Sequence, residues 1–305
     1  MVNSKAVILV GALAVSGAAS ADLNKGLVAY YPFDGNANDM SGKNNNGVLH
    51  GGVSLTTDHN GKVDGAYSFN GVDGFISASA NNLPSAARTV VILFKANSLN
   101  TMPVLLGYGG DYSCGTSWFM GLNAGPSIYN DSYYVTSHCD VNTFTKKYSP
   151  NSVIGHWIQL AISTNAKGTI IYINGVKAAS NTNFISNTFV QNKDMAIGVD
   201  VSPGGFAPYT DGNVGYFDGV IDDVRIYNRA LSASEVQQLY YQAFPPTISG
   251  TAVWKTNHTV TCQNITQGTE ITLPATTKDG WNCEAAGLQF NSGDTARVII
   301  DGKKY

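Results

Sequence analysis

An all-β, two-sheet antiparallel sandwich is the fold class that this sequence predicts, and three observations predict it. Short apolar or alternating runs, each bounded by Gly, Asn, Asp or Pro, recur along residues 26–227, as the strands of a sandwich do. Helical periodicity is confined to one segment near residue 235. The composition agrees: 13% of the 305 residues are charged, and 33 glycines accompany 16 tyrosines and 12 phenylalanines. An average soluble domain is about 25% charged, so this is the composition of an exported, β-rich protein.

Residues 1–21 read as a secretory signal. Lys5 supplies a positive start, Ala6 to Val15 an apolar stretch, and Ala19, Ser20 and Ala21 the small residues of a cleavage site. The uncharged stretch is short of the roughly 20 apolar residues that a membrane span needs. The expected mature chain begins at Asp22, outside the cell or in a periplasm, with no membrane span.

The strands follow in order. Gly26–Phe33 opens the domain, and Ala66–Phe69 runs into a turn at Asn70 and Gly71. Thr89–Phe94 is continuously apolar, as a strand buried on both faces is. Trp157–Ile162 and Thr169–Ile173 are two more, and the second meets Asn174 and Gly175. That dipeptide is the strongest short-range hairpin signal, because both residues tolerate positive φ, so Val176–Ala178 returns beside it. Met195–Val199 and Gly219–Tyr227 complete the set.

The single helix carries its own start signal. Ser232 and Glu235 form a capping box, with Leu231 and Val236 placed as a hydrophobic staple. Val236, Leu239, Tyr240 and Ala243 then line one face. Pro245 and Pro246 end the helix and mark a boundary. The expected division is therefore a sandwich over 22–244, a Pro linker at 245–247, and a small β domain over 248–305. The runs 251–254, 258–262, 270–273 and 295–300 are its expected strands.

Export makes the four cysteines interpretable as structural disulfides rather than reactive thiols. Four cysteines allow three pairings. Cys114 and Cys139 lie in one region and Cys262 and Cys283 in another, so local pairing is the simplest scheme. Each bridge would close a loop whose constraint is worth on the order of 3 kcal/mol.

The opening residues Gly26–Gly42, together with 67–73, 171–175 and the closing run Phe217–Ser232, resemble concanavalin A-like, LamG-type jelly-roll domains of bacterial secreted proteins. Four motifs agree in order over roughly residues 23–243. The resemblance implies a jelly roll of two packed antiparallel sheets, a bound calcium ion, and carbohydrate or other extracellular ligands. It does not reach the C-terminal unit. On the family pattern Asp39 and Asp222 are the calcium carboxylates, with Asn36 and Gly61 adding oxygens chiefly through their carbonyls, and Asp34 a further candidate. The alternative is that Asp39 caps the turn to Gly42 while Asp222 pairs with Arg225 or Arg229.

The charge balance and the motifs exclude several functions. A formal net charge of −3 provides no basic surface for a phosphate backbone, so nucleic acid is excluded as a partner. His50, His59, His138, His156 and His258 lack the spacing of zinc ligands. A jelly-roll glycosidase needs two carboxylates facing each other, whereas the chain has three glutamates, none in the sandwich strands, and no strand carries acids at i and i+2. No Gly-x-Ser-x-Gly elbow and no Tyr-x-Lys-x-Gly-x-Tyr string is present. Hydrolase or lyase activity is the weakest of the readings.

A binding surface is the stronger expectation. Tyr112, Trp118, Tyr133 and Tyr134 crowd into a stretch that a Cys114–Cys139 bridge would pin. Aromatic rings offer flat apolar faces suited to sugars or to protein partners. The sequence therefore predicts a secreted, calcium-stabilised, lectin-like module that binds an extracellular glycan without catalysis. An adhesion protein that binds another protein is the alternative.

Overall fold

The computed structural model describes residues 22–99, 102–110, 115–123, 131–137, 143–184, 187–191, 193–202, 205–206, 214–245, 249–250, 258–275, 281–283, 288, 296–300 and 303–304. The expected signal segment 1–21 lies outside these residues. Contacts divide the chain into two compact units, one of them Leu23–Gln237 and the other containing Gln238–Tyr305.

Among the described residues the first unit holds eighteen strands: β1 (Leu27–Tyr31), β2 (Val48–His50), β3 (Val53–Thr56), β4 (Ala66–Asn70), β5 (Phe75–Ser79), β6 (Arg88–Ala96), β7 (Met102–Gly109), β8 (Ser117–Asn123), β9 (Ser132–Thr136), β10 (Thr143–Lys147), β11 (Trp157–Asn165), β12 (Gly168–Ile173), β13 (Val176–Asn181), β14 (Asp194–Ile197), the short β15 (Val201–Ser202), β16 (Gly205–Phe206) and β17 (Val214–Gly215), and β18 (Asp218–Tyr227). One eight-stranded sheet runs β13-β12-β11-β6-β18-β4-β3, with β1 also on β18. The second runs β10-β9-β8-β7-β14-β5-β2, with β17 beside β7. Their long pairings are antiparallel. This is the jelly-roll sandwich that the motifs imply.

Local chemistry explains the elements. β6 is buried on both faces because it lies inside its sheet, between β11 and β18. Val90, Ile92 and Phe94 point into the core shared with Leu106, Trp118 and Met120 of the second sheet. The next positions, Val91 and Leu93, are buried on the other face. Ile173 pairs with Val176 across Asn174 (φ 51°) and Gly175 (φ 75°). Two successive positive φ values mark the tight turn that matches strand twist.

The helix α1 (Ala233–Ala243) starts on its capping box. The Ser232 amide donates to Glu235 Oε2 at 2.7 Å, and the Glu235 amide donates back to Ser232 Oγ at 3.3 Å. The Leu231 amide donates to Thr89 Oγ1, which fixes the helix entry against β6.

In the second unit, β20 (His258–Asn264), β21 (Thr269–Ala275), β23 (Ala296–Ile300) and β24 (Lys303–Lys304) form a sheet ordered β21-β20-β23-β24, while β19 (Ser249–Gly250) pairs with β22 (Trp281–Asn282). Residues 251–254, expected as a strand, lie outside the described residues. Cys262 and Cys283 form a disulfide with Cα atoms 6.0 Å apart. Its sulfurs sit among Val260, Leu288 and Val298, a core so small that a covalent staple matters. Among the described residues no helix is long and apolar enough to cross a membrane.

Candidate functional site

The site starts from an irregularity in β18. Regular pairing with β6 breaks between Asp222 and Arg225, and Asp223 adopts φ 50°. A left-handed residue in mid-strand costs on the order of 1 kcal/mol and re-aims its neighbours. Plain alternation, which would simply send Asp222 and Asp223 to opposite faces, therefore does not hold across this pair. Asp223 Oδ1 accepts from Arg225 Nη2 at 3.3 Å, and the guanidinium stacks over the Tyr30 ring at 4.3 Å.

Asp222 turns to a partner that linear spacing does not reveal. Its Oδ2 lies 3.0 Å from His59 Nδ1, and the two side chains are only 4% and 6% exposed. Burial pushes the Asp222 carboxyl up to about 6; the His59 hydrogen bond opposes this and the Asp223 charge adds to it. Arg229, expected as an alternative partner, instead pairs with Glu235 at 2.7 Å.

The loop that delivers His59 is built by its own polar residues. Asp58 Oδ1 accepts from the amides of Asn60 (2.7 Å) and Lys62 (2.8 Å), and its backbone N–H donates to the Lys62 carbonyl. Gly61 closes the turn at φ 85°, where a side chain would be strained. The imidazole and the Trp157 ring meet in a T-shaped contact, ring centres 5.9 Å apart at 72°, and Asn60 Nδ2 lies 2.9 Å from His59 Nε2. Lys95 Nζ sits 5.4 Å from the Trp157 ring centre. Ligand atoms of Asp58, His59 and Asp222 all lie within 4.8 Å of one another. The fold thus brings together two carboxylates that no single strand carries.

The expected calcium residues divide. Asp222 meets the loop containing Gly61. Asp39 is held otherwise: Oδ1 accepts from the amides of Tyr30 and Ser41, both at 2.9 Å, and Oδ2 from that of Asn45 at 3.0 Å. This is the turn-capping role. Asn36 is exposed, and its Oδ1 accepts from the Asn38 amide. Asp34 is exposed too and pairs with Lys62. Calcium takes six to eight oxygens, whereas the donor set at Asp222 includes an imidazole nitrogen. Among the described side chains, that cluster offers two carboxylates and one imidazole rather than an all-oxygen set.

The expected aromatic surface is corrected by burial. Trp118, Tyr133 and Tyr134 are 0%, 2% and 3% exposed, so none presents a ring face to solvent. The physical reason is their place on β8 and β9, interior strands of the second sheet. Trp118 and Tyr133 point into the sandwich core. Tyr134 packs on the opposite face with Val104, Phe119, Ala196, Val199 and Val201. Trp118 also faces the buried Arg88 guanidinium at 5.8 Å. Tyr112 and the expected Cys114–Cys139 bridge lie outside the described residues. Trp157, which sequence reasoning read only as a strand residue, is the partly exposed ring beside the polar cluster.

Comparison with known proteins agrees with this architecture. The family described as the concanavalin A-like lectin/glucanases superfamily matches residues 70–237. No curated protein sequence matches the chain. Among solved structures, domain 4 of AbnA, a GH43 extracellular arabinanase from Geobacillus stearothermophilus, in complex with arabinotriose, is 25% identical. That match covers 70% of this chain and 98% of the domain, with a TM-score of 0.54. The binding domain of Paraclostridial Mosquitocidal Protein 1 is 16% identical, over 83% of this chain and 64% of that one, with a TM-score of 0.55. The binding domain of botulinum neurotoxin DC in complex with SialylT is 13% identical, over 93% and 73%, with a TM-score of 0.53.

Proposed function

Since the chain belongs to the concanavalin A-like lectin/glucanases superfamily, we propose that it is an exported carbohydrate-binding module with no catalysis of its own. The observation that carries the reading is the likeness to an arabinotriose-bound domain over 98% of that domain's length. The signal-like segment 1–21 supports export. The two carboxylates brought together at the site do not make a glycosidase pair. The Asp222 oxygen is bonded to His59 and its side chain is 4% exposed, so it is not offered to a glycosidic oxygen.

Trp157 is the ring best placed to stack on a sugar. It is partly exposed, with Lys95 and the His59 loop beside it. An aromatic face plus a few polar groups is the usual composition of a sugar platform. Binding through one such ring is expected to be weak, because little apolar area is buried.

The test is a glycan array that includes arabinan oligosaccharides and sialylated glycans, run beside an assay for released reducing ends. Retention on one glycan class, lost in Trp157→Ala with the fold intact, is the expected result. Release of sugars by the wild-type protein overturns the binding-only reading. Failure to retain any glycan, with capture of a proteinaceous surface instead, moves the function to protein adhesion. N-terminal sequencing of exported protein is expected to begin at Asp22.

A further inference from the structure

We propose that Asp58, His59 and Asp222 form a binding site for a divalent cation of the borderline class, with zinc as its representative. This goes beyond glycan binding and does not depend on it. The three ligand atoms lie within 4.8 Å of one another, and the His59 Nδ1 to Asp222 Oδ2 separation is 3.0 Å. Zinc bonds of about 2.0–2.1 Å in a tetrahedron place neighbouring donors roughly 3.3 Å apart. The buried pair already has that spacing. Asp58 stands on the partly exposed loop, its ligand atom within 4.8 Å of the other two.

The chemistry of the donors selects the class of cation. One imidazole nitrogen and two carboxylate oxygens suit zinc and neighbouring transition metals, whereas calcium favours an all-oxygen cage. Three protein ligands leave a fourth position open to water. Two carboxylates so close, one of them almost fully buried, also gain from a positive charge between them.

The surroundings hold the donors in place. Asp58 Oδ1 is fixed by the amides of Asn60 and Lys62, which leaves its other oxygen outside those bonds. The T-shaped contact with Trp157 restrains the plane of the imidazole. A metal-bound histidine donates its remaining ring N–H to an oxygen. Asn60 is 2.9 Å from Nε2, and a half-turn of its amide presents the carbonyl there.

The test uses the mature full chain without a polyhistidine tag, stripped with EDTA and dialysed. Zinc and calcium are titrated separately by calorimetry, and cobalt(II) absorption reports the coordination geometry. The expected result is one zinc per chain, bound at least tenfold tighter than calcium. His59→Ala and Asp58→Asn are each expected to weaken zinc roughly tenfold or more, with Asp39→Asn unchanged. Circular dichroism checks each fold, and Asp58→Asn, on the partly exposed loop, carries the test if His59→Ala unfolds. No zinc binding, zinc affinity indifferent to the substitutions, or calcium bound more tightly than zinc overturns the proposal.

Discussion

His59 Nδ1 and Asp222 Oδ2 lie 3.0 Å apart although 163 residues separate them in the chain, and both side chains are largely buried. The contact ties the loop after β3 to the mid-strand bulge of β18. Removing one partner of such a pair leaves the other buried and uncompensated, which costs more than removing the charge itself. His59→Leu is therefore expected to destabilise the sandwich more than Asp222→Asn. A double-mutant cycle in urea should return a coupling of about 1–3 kcal/mol. Additive effects of the two changes would show that the contact contributes nothing.

Asp39 satisfies three backbone amides, from Tyr30, Ser41 and Asn45. Asp39→Ala strands these donors in a partly buried turn, so a loss of about 3 kcal/mol is expected. The loss should be equal in calcium and in chelator, read by thermal melts of metal-stripped protein. A loss seen only in calcium would return the residue to a metal site.

Trp118 is wholly buried, within the core that holds both sheets together. Trp118→Ala is expected to cost about 3–5 kcal/mol, which lowers the melting temperature by on the order of 10 °C in a domain of this size. A variant that melts like the wild type yet loses glycan retention would make the ring a ligand contact.

Glu235 is held down to about 2 from its ordinary 4.5, first by the Arg229 hydrogen bond and then by Ser232 against the opposing effect of burial. A carboxyl lowered in the folded state contributes stability that is complete above the unfolded value and fades as pH falls from 4.5 towards 2. Glu235→Gln should thus cost roughly 1 kcal/mol at neutral pH. The gap between variant and wild type should close below pH 4.5. Urea midpoints measured across pH 2–7 would reveal a gap that persists in acid, and that result would make the effect steric.

Features carried by residues one to four apart are legible in the amino-acid sequence itself. The Asn174-Gly175 turn, the Ser232–Glu235 capping box and the apolar run of β6 each encode their conformation in local backbone and side-chain chemistry. The burial of Trp118, Tyr133 and Tyr134 is not legible there, because period-2 alternation does not tell which strands a sheet will place inside and cover on both faces. Nor is the choice between a capping and a metal role for Asp39, which rests on where the amides of Tyr30 and Asn45 fall. The Asp58, His59 and Asp222 cluster is invisible for the same reason. Its members come from a loop and from a distant strand whose bulge departs from regular alternation. Only the packing of β18 into the sheet brings a carboxylate to an imidazole that nothing in linear spacing assigns to it.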